Sequence, residues 1–423
     1  MNNNKIHLVA ADMGYGHQRA AYPLVELSRE GIVNLNDYEG IEKWEKQYWL
    51  KTQKSYDKIS SFKHIPILGN LVFKTMDFFQ RIEPFYPRRD LSPQTFQQKI
   101  FFKVIKKGLG QKLIDNLNKE PLPLVTTFFV AAYCAEYYKY QGPIYCLVCD
   151  TDVSRAWAPL NPQTSKIIYL APNQRVRQRL LMYGVSPANI KITGFPLPAE
   201  NIENNFLEKD LAIRLNCLDP LKKFQEVYHQ FLPDKLSPPA MSNRLFTVTF
   251  AVGGAGAQKE IGGLIFKKLL PLIKENKLFL NLIAGNRAEV NDYFQRLIRS
   301  SQMENNQNIQ VIYHPQKMEY FRLFNLCLRN TDVLWTKPSE LSFYAGLGLP
   351  IIISDPVGSQ EVCNRDWLLS IGAGLDSLDP EFVDEWLPDW RRDGRLARAA
   401  LNAYLNASHN GLVNIKKEIF PNF

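Results

Sequence analysis

The segment KIHLVAADMGYGHQRAA, residues 5–21, runs an apolar strand into a Gly-x-Gly turn, a histidine and a series of small residues. A glycine-rich turn between strand and helix leaves backbone N–H groups unpaired at the helix start, where an anion can be held. Gly14 and Gly16 make that turn, and His17 follows with a side chain able to take a proton near neutral pH. A second turn of the same build, AVGGAGAQK, follows LFTVTF and carries Gly253, Gly254 and Gly256. Neither turn is followed by the Gly-Lys-Ser/Thr of a P-loop. Neither has the acidic residue about 20 positions on that completes a dinucleotide fingerprint. The plainer reading of each is a tight connection that lets a helix lie close on its strand.

A third cluster lies in DVLWTKPSELSFYAGLGLPIIISDPVGSQEVCN, residues 332–364. Lys337, Ser339 and Glu340 follow one strand, and Gln360, Glu361 and Asn364 follow the next. Hydroxyls and helix starts suit phosphate oxygens, while carboxylates and amides suit vicinal sugar hydroxyls. The competing assignment is capping, with Ser339 as an N-cap and Glu361 facing the helix dipole. The strand PIYCLVCD adds Asp150, with Asp152 two residues on, and Asp12 precedes the first turn. Each is a carboxylate available as a base beside His17.

These residues need a scaffold of strands and helices in alternation, and the chain supplies it twice. PLVTTFF, PIYCLVCD, KIIYLA and NIKITGFPL read as strands separated by helical stretches, after KIHLVAA and IVNLND. LFTVTFA, LFLNLIAG, IQVIYH, DVLWTK and PIIISD repeat the pattern. Such alternation predicts parallel sheets with helices on both faces. Ligands then bind at the carboxyl ends of the strands, and two facing sheets would share a cleft. The expected domains are 1–200, a polar connection at 201–244, a second α/β domain at 245–398, and a helix at 399–423 returning to the first domain.

With 423 residues, two domains are expected, and 45% apolar with 22% charged residues is a globular composition. No run of about 18 apolar residues predicts a membrane-crossing helix, and the N-terminus has no secretory pattern. Cys146 and Cys149 have CxxC spacing but lie on a strand, without a second pair, so no metal site is expected. The six scattered cysteines read as reduced, buried thiols in a cytoplasmic protein. The net charge of +9 is local, since residues 41–112 hold fifteen Lys/Arg against six Asp/Glu. That insert is also rich in aromatics and suits an anionic membrane surface, with Phe101, Phe102, Lys103, Lys106 and Lys107 as the contact. Nucleic acid would attract the same charge but is not the expected partner, and ordinary helix cores with solvated lysines are the plain alternative.

Six motifs, in order, resemble the GT-B glycosyltransferases of the MurG and monogalactosyl- and glucosyl-diacylglycerol synthase branch. GYGHQRAA is similar to their Gly-x-Gly-His turn, and VCDTDVSRAW to a strand-end Asp with a Trp seven residues on, here Asp150 and Trp157. IIYLAPNQRVRQRLLMYGVSPANIKITGFPL, AVGGAGAQK, TKPSELSFYAGLGLP and GSQEVCN resemble their later segments. The resemblance implies two Rossmann-like domains and transfer of a sugar from a nucleotide donor, normally a UDP-sugar. It implies inversion without metal or cofactor, and an acceptor hydroxyl such as that of a membrane lipid. His17 and Asp150 are then the catalytic pair. Gly14, Gly16, Gly253, Gly254, Gly256, Ser339, Glu340, Gln360, Glu361 and Asn364 become the donor site. Departures are also plain: Ser339 and Glu340 replace two glycines, and Asp12 and Met13 replace the first glycines of the opening turn. Two alternatives share the expected fold. One is an isomerase like the UDP-N-acetylglucosamine 2-epimerases, the other a non-catalytic nucleotide-sugar or lipid binder.

Overall fold

The computed structural model describes residues 4–62, 81–232, 236, 244–253, 256, 258–356 and 358–421, the side chains of 53–62 and 97 aside. The chain divides into two compact units. The first holds residues 1–196, 357–364 and 410–423, and the second 197–356 and 365–409.

In the first unit β1 (Ile6–Ala10), β2 (Ser28–Asn34), β3 (Leu124–Thr126), β4 (Ile144–Leu147), β5 (Ile168–Ala171) and β6 (Ile190–Ile192) form one sheet. Its order is β2-β1-β3-β4-β5-β6, and every pairing is parallel. The inner strands β1, β3, β4 and β5 read as apolar runs, as strands covered on both faces do, and all five residues of β1 are buried. The stretch QRAAYPLVELSRE after His17 has the composition of one helix. It is instead an α-helix over Gly16–Ala21, a 3-10 helix over Tyr22–Leu27 and then β2, which begins at Ser28. Pro23 lacks the N–H that an α-helix would use and ends the α-helical turn.

The basic insert is partly core. Helices Lys43–Phe62 and Phe96–Ile105 stand in it, Gln111–Leu117 begins at its end, and Trp49, Ile105 and Leu109 join a buried apolar cluster with Leu113 and Ile114 just beyond it. Glu45 anchors the first of these helices, accepting from Gly110 N at 3.1 Å and Tyr38 OH at 3.0 Å. Burial pushes its carboxyl above the usual range, against those hydrogen bonds. Phe73, Phe78 and Phe79, counted among the insert's aromatics, lie outside the described residues.

The second unit holds β7 (Phe246–Ala251), β8 (Leu278–Gly285), β9 (Ile309–Tyr313), β10 (Val333–Thr336), β11 (Ile351–Ile353) and β12 (Gly374–Asp376). These are all parallel, in the order β12-β11-β10-β7-β8-β9. Much of the stretch expected as a connection is structural here. Helix Phe206–Leu218 buries Leu207, Leu211, Leu215 and Leu218. Its Arg214, 1% exposed, donates to the carbonyls of Thr331, Leu347, Gly348 and Leu328, tying three separate stretches of backbone to this helix. The C-terminal helical stretch is two helices. Arg395–Asn406 belongs to the second unit, while Gly411–Ile419 lies in the first, with Asn414 Nδ2 donating to Thr193 O at 2.9 Å.

Candidate functional site

In the first unit the predicted residues collect at the carboxyl ends of β1, β3 and β4, which are adjacent and parallel. Gly14 has φ +125°, a conformation only glycine adopts without strain, and space for a side chain there is open. The turn is braced by Asn36, which accepts from Asp12 N at 2.8 Å and donates to Asp12 O at 3.0 Å. Gly16 opens the short helix that carries His17. The imidazole Nδ1 lies 2.7 Å from the carbonyl of Thr127, just past β3. A carbonyl only accepts, so Nδ1 donates, and the neutral ring carries its lone pair at Nε2. Phe128 packs on the ring at 4.9 Å between centroids, Trp157 stands at 6.4 Å, and Cys149 Sγ lies 3.7 Å from Nδ1.

Past β4, Asp150 is partly exposed, whereas Thr151 and Asp152 are buried. Asp152 takes Arg179 Nε at 2.8 Å, Arg179 Nη2 at 2.9 Å and Arg175 Nε at 2.9 Å. Both of its oxygens are occupied by the two guanidiniums, which separates it from Asp150. Asn364, 1% exposed, accepts from Thr151 N at 3.0 Å and from Thr151 Oγ1 at 2.8 Å, and donates to Asp150 Oδ1 at 3.3 Å. The amide matched to the donor-reading loop is thus turned to the β4 loop of its own unit. Gln360 and Glu361, in the first turn of helix Ser359–Ser370, remain partly exposed.

In the second unit the turn after β7 leads to helix Lys259–Lys274, whose N-cap Gln258 makes no side-chain cap bond. Gly256 has φ +74°, and Gly254 lies outside the described residues. A methyl group at Gly253 would meet Lys337 Cε at 2.7 Å, so the bare glycine is what lets Lys337 lie across the turn, with Nζ 3.6 Å from that point. Lys337 thereby places a cation beside Gly253, at the start of the turn that the sequence marked for an anion. Close packing of this helix falls to glycines that went unremarked. A methyl at Gly262 would meet Phe250 Cδ1 on β7 at 2.8 Å, while one at Gly263 would clash with Tyr293 Oη on the neighbouring helix Ala288–Ser300. Ser339 precedes the 3-10 helix Glu340–Leu347 without a side-chain cap bond, and Glu340 is buried. Among the described residues no group of three or more His, Cys, Asp or Glu could hold a metal ion.

The insert presents a distinct face. Helix Phe96–Ile105 opens with a capping box from Thr95 and Gln98, and Gln98 Nε2 also donates to Arg155 O at 3.1 Å. Phe101 and Phe102 are half-buried, stacked toward Phe129 at 6.4 Å and Tyr133 at 5.2 Å. The rings expected at the surface therefore serve the core, while Lys103, Lys106 and Lys107 are exposed. The outward apolar groups are Phe96, 71% exposed, and Ile100, 45% exposed, flanked by Lys99 and Lys103 at helical spacing. Among the described residues no helix is long and apolar enough to cross a membrane.

Residues 286–374 match the model of a domain of unknown function (DUF6938). The processive diacylglycerol beta-glucosyltransferase of Bacillus subtilis (strain 168) is 23% identical over 386 residues, covering 89% of this chain and 84% of that protein. The enzyme of the same name from Staphylococcus aureus (strain Newman) is 22% identical over 392 residues, covering 90% and 82%. Two solved structures, each 14% identical, superpose with a TM-score of 0.50. They are the S. aureus MnaA–UDP co-structure, covering 98% and 96% of the two chains, and the UDP-GlcNAc 2-epimerase of Neisseria meningitidis bound to UDP-GlcNAc, covering 99% and 100%. The chain has a GT-B glycosyltransferase-like α/β fold, as its motifs imply.

Proposed function

We propose that this protein is a glycosyltransferase that moves a sugar from a UDP-sugar to the hydroxyl of a membrane lipid, with inversion and without metal. The observation that carries the reading is the tautomer of His17. Its Nδ1 is spent on Thr127 O, so Nε2 is the atom that accepts a proton at the carboxyl end of the sheet. In this reading Nε2 takes the proton of the acceptor hydroxyl as its oxygen attacks the anomeric carbon from the face opposite the leaving diphosphate. The bond from the anomeric carbon to the diphosphate breaks, and the nucleoside diphosphate leaves with the electron pair of that bond. Asp150 follows Cys149, whose Sγ lies 3.7 Å from His17 Nδ1, and in this reading it is the carboxylate that favours positive charge developing on the ring. The curated relatives' name, diacylglycerol beta-glucosyltransferase, supports a lipid acceptor, and so does the cationic, apolar outer face of helix Phe96–Ile105. That face also supports peripheral attachment to a membrane.

The test is incubation with UDP-sugars, with and without vesicles containing diacylglycerol, and mass spectrometry of both lipid and nucleotide products. A glycosylated lipid with release of UDP is expected. Interconversion of UDP-GlcNAc with its 2-epimer in the absence of lipid would overturn the reading in favour of an isomerase. Donor binding without turnover would leave a non-catalytic binder.

A further inference from the structure

We infer that Asn364 is a positioning residue for Asp150 rather than a reader of the donor sugar, and that Thr151 fixes its orientation. The inference rests on the transferase reading, in which Asp150 lies at the reacting centre. Thr151 N and Thr151 Oγ1 both point at one end of the Asn364 amide, at 3.0 and 2.8 Å. A backbone N–H only donates, so that end is the amide oxygen. Nδ2 is then obliged to face Asp150, and it lies 3.3 Å from Oδ1. Asn364 is 1% exposed, which leaves its amide little reach to a ligand in solution.

The consequence for Asp150 is both geometric and electrostatic. An amide N–H donated to a carboxylate favours the charged form and fixes one oxygen in direction. Asp150 is the partly exposed member of a loop whose neighbours Cys149, Thr151 and Asp152 are all buried. Cys149 meets the His17 ring, Thr151 holds Asn364, and Asp152 is held by Arg179 and Arg175. The loop is therefore locked on both sides of the one carboxylate left toward solvent. Gln360 and Glu361, one helical turn before Asn364, keep their exposure and remain the residues of this helix suited to a sugar.

The experiment compares wild type, Asn364→Ala, Thr151→Val, Asp150→Asn and the double variant Asp150→Asn/Asn364→Ala. It reads kcat, donor KM and the Kd for UDP-glucose. Asn364→Ala is expected to lower kcat by about tenfold or more, the usual effect of losing a hydrogen bond to a charged group. Donor KM and Kd should stay unchanged. Thr151→Val should act in the same direction but less, because Thr151 N still donates, and it serves as the readout if Asn364→Ala does not fold. The double variant should be no slower than Asp150→Asn alone. A raised donor KM and Kd with unchanged kcat would overturn the assignment and return Asn364 to the donor site. Additive losses in the double variant would also overturn it. Failure of the transferase reading itself shows in the wild type, as donor binding without transfer.

Discussion

Removing the outward apolar groups of helix Phe96–Ile105, through Phe96→Ser with Ile100→Ser, should release the protein from anionic membranes. Full burial of a Phe or Ile side chain contributes about 1.5–3 kcal/mol. Scaled by exposures of 71% and 45%, the two residues can offer roughly 3 kcal/mol together on entering an interface. That is about a hundredfold in partition coefficient. The surrounding lysines act differently, at about 1 kcal/mol each near an anionic surface, and salt screens them within a Debye length. By the same scaling the buried parts of the two side chains contribute about 1–3 kcal/mol to the fold, so the melting temperature should fall by several degrees with the protein still folded at the assay temperature. Co-sedimentation with vesicles of graded anionic lipid content, at low and raised salt, separates the two contributions. Loss of the salt-resistant fraction in the serine variant is expected. In Lys99→Glu with Lys103→Glu, Lys106→Glu and Lys107→Glu, the salt-sensitive fraction should go instead. Wild-type partitioning of the serine variant would refute the reasoning, and the helix would be an ordinary solvated element.

Gly262→Ala should destabilise the second unit by about 1–3 kcal/mol through overpacking against Phe250 and Phe294, seen in urea unfolding. Burial raises Asp332 to about 6, against the attraction of Arg244 and the Thr247 N hydrogen bond. The folded state then holds a proton that the unfolded chain has released, so this group's contribution to stability falls as pH rises from about 4 to about 6, by roughly 3 kcal/mol at most. Asp332→Asn should flatten the pH dependence of the unfolding midpoint in that window, and an unchanged slope would remove Asp332 as its source. Glu340→Ala should weaken binding of UDP-glucose in calorimetry if the buried carboxylate serves the donor. A fall in melting temperature alone would make it a structural group.

The alternation of apolar runs and glycine turns revealed both sheets, because strands covered on two faces need unbroken apolar sequence. β12 escaped notice, being three residues long and opened by Gly374 at a sheet edge. Arg214 went unread for a different reason. Its partners are four carbonyls far along the chain, and no local pattern announces them. The places of His17 and Asp150 just past strand ends were legible from type and spacing, yet the carbonyl that sets the histidine tautomer belongs to Thr127, where the side chain carries no information. The exposed face of helix Phe96–Ile105 was displaced by one step from the expected rings. FFK reads as an apolar pair beside a cation, but the register set by the Thr95–Gln98 capping box turns Phe101 and Phe102 inward and leaves Phe96 and Ile100 outside.

The most direct test of the central claim is sugar transfer from UDP-glucose to diacylglycerol in vesicles by wild type and by His17→Ala, alongside calorimetric binding of UDP. The account predicts a glucosylated lipid of inverted anomeric configuration, and a rate lower by about 10²–10⁴-fold in the variant with UDP affinity retained. An unchanged rate in His17→Ala, or a product that keeps the donor's anomeric configuration, would contradict it.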